Sequence, residues 1–200
     1  MSQTQHPVPP AQRAGRLKLL LIMAIFAAPI VAAGLLTVGG YQPSGKGNGL
    51  PINPQRNFAQ EALRVQLPDG KDWAWRADEP KLTLVALPAA DCAAACVETL
   101  NKIAAARVTL NRNAPRLRLL LLSAAPAVGK VEQGVWQPDT NADFRWQLGS
   151  DADGKLAQWR AATPGGVAAL LVESNGTALA HYPEGFNPTG LRKDLQKVIR

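Results

Sequence analysis

Histidine, cysteine and methionine are scarce in this 200-residue chain, with two of each. One histidine, His6, lies in the N-terminal tail, which leaves His181 for the rest of the protein. A Ser-His-Asp hydrolase and a histidine-rich zinc site are therefore poorly supported. There is no G-x-S-x-G elbow, no phosphate loop and no Rossmann glycine pattern. Acidic residues are missing altogether from residues 1–18. The formal charge of +7 is no nucleic-acid footprint. Without Arg13, Arg16, Lys18 and Lys46, 18 basic residues face 15 acidic ones, which leaves +3. No internal repeat is present.

What the chain does have is one long uncharged apolar run, from Leu19 to Val38, with Pro29 inside it. About twenty apolar residues cross a bilayer core as a helix, and membrane helices tolerate a proline kink. Arg13, Arg16 and Lys18 precede the run, so the positive-inside bias places the N-terminus in the cytoplasm and the remainder outside. The rival is a signal peptide cleaved near Val31-Ala32-Ala33. The run extends well past a signal-peptide core, which favours an uncleaved anchor. The expected organisation is a cytoplasmic tail over 1–18, a transmembrane helix over 19–38, a Gly/Pro/Ser linker over 39–57 and a periplasmic domain over 58–200. The expected location is the inner membrane of a bacterium.

Within the domain, Leu63–Leu67 and Trp73–Trp75 flank Pro68-Asp69-Gly70 and predict a leading hairpin. Leu82–Leu87 predicts a buried strand, followed by a helix from Cys92 to Arg107 with Asp91 as its N-cap. Leu117–Leu122 is a second buried strand. Residues 124–143 are ambiguous between a short helix and a long excursion. Phe144–Leu148 reads as a strand, and Asp151 or Asp153 as the cap of a helix through Trp159. Val167–Val172 and Thr177–Tyr182 flank Ser174-Asn175-Gly176, a hairpin signal. Pro188 opens a last helix with Leu191, Leu195 and Val198 inward. Strand-helix alternation followed by a hairpin and a helix is an α/β, thioredoxin-like arrangement, a mixed sheet with flanking helices.

Cys92 and Cys96 are the chemistry-bearing pair. Their i, i+4 spacing at a strand-to-helix junction lets the sulfurs bond each other or share a soft ion, and the helix dipole favours thiolate there. A purely structural disulfide here would close almost no loop and stabilise little. The five tryptophans read as core and rim fillers. Arg107, Arg112, Arg116 and Arg118, with Arg192, Lys193, Lys197 and Arg200, read as a solvated basic face, with anionic headgroups or an acidic partner as the alternative.

A strand, the pair Cys92-Ala-Ala-Ala-Cys96 opening a helix, a leading hairpin and a final hairpin plus helix, on a single-span anchor, resemble the Sco family. The segments Phe144–Gly149, Leu156–Trp159 and Leu171–Tyr182 are similar in layout. The resemblance implies thiol-disulfide exchange or Cu(I) handling by Cys92 and Cys96 in cytochrome c oxidase biogenesis. The implied partners are an oxidase subunit or another copper/thiol assembly factor. Sco proteins carry prolines beside the cysteines, where this chain has Ala93 and Val97. They also place a histidine ahead of the penultimate strand, where this chain has Thr163-Pro-Gly-Gly166. His181 is the remaining candidate third metal ligand. Pro164 is the candidate for a cis-proline that guides substrate toward the cysteines, or else a turn proline. The other readings are a non-catalytic interaction module on a degenerate site and a general disulfide reductant.

Overall fold

The computed structural model describes residues 10–38 and 47–199. The chain forms two compact units, Met1–Ser44 and Gly45–Arg200. The first contains the helix α1 (Pro10–Val38), with Pro29 inside it. Its stretch Lys18–Leu36 is long and apolar enough to cross a membrane. The helix begins well before Leu19, so part of the expected tail is helical. Residues 1–9 of that tail and 39–46 of the expected linker lie outside the described residues.

The second unit is built on one mixed sheet. Its strands are β1 (Leu50–Pro51), β2 (Val65–Gln66), β3 (Leu82–Pro88), β4 (Leu117–Leu122), β5 (Lys130–Glu132), β6 (Val135–Gln137), β7 (Trp146–Asp151), β8 (Val167–Val172) and β9 (Ala178–Tyr182). They are ordered β1-β9-β8-β3-β4-β7-β6-β5, with β2 pairing on β7. The β3–β4 and β4–β7 pairs are parallel. The β3–β8, β8–β9 and β6–β7 pairs are antiparallel. The helix α2 (Ala94–Val108) makes the β3-to-β4 crossover, and α3 (Pro188–Val198) ends the chain.

Central position explains why β3 is apolar throughout: a strand covered on both faces has no solvent side. Its alternate residues serve two cores. Leu84 and Ala86 join Cys96, Leu100, Ile103, Leu191 and Leu195 beneath the helices. Val85 and Leu87 face the other way, toward Phe58, Leu63, Trp75 and Leu156. Thr83 is the one polar residue of β3, and its Oγ1 accepts from Arg118 Nε at 3.1 Å. The Arg118 guanidinium also lies 4.5 Å from the Trp73 ring centroid.

Several expectations are corrected. The hairpin at 63–75 closes through Leu67 N–Lys71 O and Trp73 N–Val65 O, but its ladder is a single bridge, and β2 finds its strand partner in β7. The ambiguous stretch 124–143 holds the β5–β6 hairpin, whose tip residues Gln133 and Gly134 both have positive φ. The helix expected through Trp159 is a short 3-10 turn, Ala157–Trp159, preceded by Leu156 N donating to Asp151 Oδ2 at 2.8 Å. Val198 is 51% exposed, and Ile199 takes the buried place expected for it.

The described part of the expected linker packs on the domain. β1 pairs with β9, and Asp194 of α3 gathers the residues just before it. The Asp194 carboxylate accepts from Asn48 N (2.6 Å), Asn48 Nδ2 (3.0 Å), Gly49 N (3.2 Å) and Tyr182 Oη (3.2 Å). Gly190 makes the seat: a Cβ there would meet Asn48 Cγ at 2.7 Å. Burial on its own would raise the Asp194 carboxyl, yet the donors from Asn48, Gly49 and Tyr182 outweigh it and hold the group below its usual range. A carboxyl held low contributes stability above its unfolded value, lost as pH falls through the folded one. Asp194→Ala should cost about 1–3 kcal/mol by leaving the buried Tyr182 hydroxyl and the part-buried amides of Asn48 and Gly49 without their acceptor. Urea unfolding followed by tryptophan fluorescence checks this; an unchanged midpoint would show the latch to be dispensable.

Candidate functional site

Strand β3 ends at Pro88, and five residues lead to α2. The N-cap is Ala93, with no side-chain cap and no acid in the first turn, so the expected Asp91 cap is absent. The reason is registry: the helix begins at Ala94, two residues later than expected, which leaves Asp91 exposed in the preceding loop. The first-turn amides therefore keep an uncompensated positive end, the arrangement that stabilises negative charge on a nearby sulfur. Cys96 occupies that first turn, while Cys92 sits ahead of the helix on extended chain. Their Cα atoms are 5.1 Å apart and the sulfurs form a disulfide.

The two sulfurs differ sharply in access. Cys96 is wholly buried against Leu100 and the sheet, whereas Cys92 is half-buried at the rim. Cys92 opens on a groove of about 450 Å³ lined by Ala94, Val97, Asn101, Ala127 and Val128. An attacking group can reach only this sulfur.

Neighbouring loops fix the rim. Arg160 Nη1 donates to Pro88 O at 2.8 Å, and Ala89 N donates to Gly166 O at 3.0 Å. Glu184 accepts from Ala162 N (2.9 Å) and Thr163 N (3.2 Å), holding the 162–166 loop beside the first turn of α2. A Cβ on Gly166 would collide with the Glu184 carboxylate, which explains the glycine. Arg160 and Glu184 escaped the sequence reading because isolated charged residues carry no spacing signal; only the fold brings them to the junction.

Pro164 lies in that loop, exposed, one place before Gly165 with φ +75° and in a turn closed by Gly166 N–Thr163 O at 2.9 Å. Proline followed by a positive-φ glycine is a type II turn. Among the described residues the cis peptide bond is Asn53–Pro54, so the cis-proline reading of Pro164 does not hold.

His181 is also corrected. It pairs with Leu170 across β8–β9, and paired residues share a sheet face. Leu170 belongs to the core opposite Cys96. The imidazole therefore points away from the sulfurs, through the sheet and two strands over, and cannot join them on one ion. Burial lowers its basicity, and a hydrogen bond with the Trp159 backbone opposes that in part.

These positions test the fit of Cu(I). Among the described residues no group of three or more His, Cys, Asp or Glu side chains comes together for a metal. Cys92 and Cys96, once reduced, supply two sulfurs and no third ligand. A three-ligand copper site does not fit these positions.

The sheet order, the crossover helix and a disulfide at the head of that helix define a thioredoxin-like protein. The model of the family "Transmembrane-like, thioredoxin-like, C-terminal domain" matches residues 82–200, and that of "Transmembrane-like, N-terminal domain" matches residues 9–40. The chain belongs to this transmembrane-like, thioredoxin-like family. No curated protein matches it. Similar solved structures include ScoI of Arabidopsis thaliana with copper bound, at 17% identity and TM-score 0.47, covering 69% of this chain and 96% of that one. Apo Sco1 of Thermus thermophilus matches at 13% identity and TM-score 0.47, covering 78% and 99%. The bacterioferritin comigratory protein of Xanthomonas campestris matches at 12% identity and TM-score 0.45, covering 76% and 97%. The family match and the sheet topology carry the fold assignment by themselves.

The lowered basicity of His181 has a consequence for stability. Its folded pKa lies below the unfolded value of about 6.5, so the native state resists protonation. Stability is full above that value and is lost as pH falls from it through the folded pKa. Carboxylates titrate mainly lower, so the window between about pH 6.5 and 5 isolates the imidazole. The urea midpoint should fall across this window in the wild type and less in His181→Phe. Parallel profiles would show that the imidazole is not the group responsible.

Proposed function

We infer that the protein performs thiol-disulfide exchange from a membrane-anchored domain, with Cys92 as the attacking or attacked sulfur and Cys96 as the resolving one. The single observation behind this reading is the asymmetry of the pair: one sulfur at the mouth of a groove, its partner wholly buried one turn on. In the reducing direction, the Cys92 thiolate attacks a client disulfide and forms a mixed disulfide. The expelled client thiolate takes up a proton. The Cys96 thiolate then attacks Cys92 Sγ, which closes the Cys92–Cys96 bond and frees the second client thiol, so that two electrons have passed to the client. The oxidised form described here is the product of that step, and a partner dithiol of lower potential regenerates the reduced form.

The Sco resemblance supplies the client: cysteines of the cytochrome c oxidase copper site or of another copper/thiol assembly factor, on the outer side of a bacterial inner membrane. Cu(I) enters only as cargo on the two reduced sulfurs, since both are soft donors. The anchor, the outward domain and the oxidase client are all parts of this proposal.

Alkylation of the reduced full chain, resolved by peptide mass, should modify Cys92 about tenfold faster than Cys96, in line with its exposure. Cys96→Ser should accumulate a mixed disulfide with glutathione or a membrane client, and Cys92→Ser should not. Loss of the four-residue closure should lower stability by only about 2 kcal/mol in the chain-entropy account. Equal alkylation rates, with no trapped species from Cys96→Ser, would reduce the pair to a structural staple.

A further inference from the structure

Acidic residues are absent from 99–131, and Asp194 is the one acid in 185–200. These segments contain α2 beyond its first turns, the 3-10 helix Asn111–Arg116 and α3, with α2 packed against both of the others. Lys102 and Thr109 of α2 share a groove with Asn187, Thr189 and Arg192 of α3, so the two helices lie side by side. Lys102, Arg112, Arg192, Lys193 and Lys197 are all exposed there. The acid of α3 is turned inward: Asp194 is buried in the latch that holds Asn48 and Gly49 and is within 3.7 Å of Lys197. Glu98 pairs with Lys102 at the edge of the face, and Asp143 lies near Arg107. Glu184 shares a groove with Lys102 and Pro188 at the head of α3, where its carboxylate accepts from the Ala162 and Thr163 amides. Asp69, Asp72, Asp151 and Asp153 surround the hairpin side of the sheet, which is where Lys71 and Lys155 find their partners.

The same latch sets how far this face can travel. Asn48 is bonded to α3 through both Asp194 and Gly190 O. The chain from Val38, where the apolar helix ends, to Asn48 spans at most about 36 Å when fully extended. A tether this short keeps a weakly attracted surface at high effective concentration, so no pocket or specific contact is needed for persistent association.

We propose that the basic α2–α3 face docks on anionic lipid headgroups of the membrane that α1 enters. Charge complementarity recognises the surface, and the Asp194 latch delivers it. Docking by this face leaves the hairpin side of the sheet, with its acidic residues, turned to solvent. The proposal is independent of the redox chemistry and needs only that α1 is inserted.

Lysine acylation of the full chain, read by mass spectrometry, tests it in two nanodiscs. One is phosphatidylcholine alone and the other is phosphatidylcholine with one-third phosphatidylglycerol. Lys71 and Lys155 serve as internal references. In the anionic discs Lys102, Lys193 and Lys197 should react about threefold more slowly relative to the references, with the difference removed by high salt. Arg192→Glu with Lys193→Glu should abolish the slowing at Lys102 and Lys197 while the reference rates stay unchanged, which also reports an intact fold. Equal relative rates in the two discs would overturn the proposal. So would protection of equal size in the zwitterionic discs, or protection that appears only on adding an acidic protein.

Discussion

Burial of β3 on both faces is the constraint from which the rest of the domain follows. A strand with no solvent side must present alternate residues to two separate cores, and its neighbours inherit the same alternation through their register. The helices cover one face, so anything that packs with α2 shares the Leu84 and Ala86 side. The segments around Phe58, Trp75 and Leu156 cover the other. This two-residue period puts Cys96 under the helices. It also puts His181 on the far side, because Leu170, its partner, belongs to the second core. One backbone parity thus separates the sulfur chemistry from the only imidazole in the domain.

Carboxylates then hold the periphery to this sheet. Asp194 binds the incoming chain at Asn48 and Gly49, and Glu184 binds the 162–166 loop at two backbone amides. A carboxylate that accepts backbone N–H groups gains charge-assisted bonds without needing a cationic partner. Each of these acids is matched by a nearby glycine, Gly190 and Gly166, which clears the space its ligands or its own side chain require. Where two such groups replace a helix or a strand as the means of attachment, no periodic pattern in the sequence marks the spot.

That distinction explains what could be read in advance. β3, β4, β8, β9 and α3 are strongly patterned, and each lies within a residue or two of its expected place, whereas the apolar helix ends at Val38 as expected but starts nine residues early, at Pro10. The Ser174–Gly176 turn follows from its residues alone. The β5–β6 hairpin was not legible because its strands are three residues each, β5 wholly exposed and β6 burying only Trp136, too short for an alternation to show. The start of α2 shifted because the Ala-rich Ala93–Ala95 stretch supplies neither a cap nor a breaker. The residues that shape the disulfide rim, Arg160 and Glu184, act through backbone groups far away in sequence. The spacing of Cys92 and Cys96, by contrast, is local and allowed either a bond between the sulfurs or a shared ion; the structure holds the bond.

The disulfide is placed where its state matters little to the fold. A four-residue closure constrains the unfolded chain weakly, and Cys96 is also held by packing with Leu100 beneath the helices. The closure contributes about 2 kcal/mol, the low end for a disulfide. Both redox states can therefore share one architecture. A cross-link of long loop span would have tied reduction to unfolding; this one ties it only to the rim around Cys92. The uncapped first turn of α2 adds to the separation, since it offers charge stabilisation to a sulfur without contributing a side chain that folding needs. Chemistry that cycles through bond making and breaking requires that independence, whereas a staple for stability gains more from closing a longer loop.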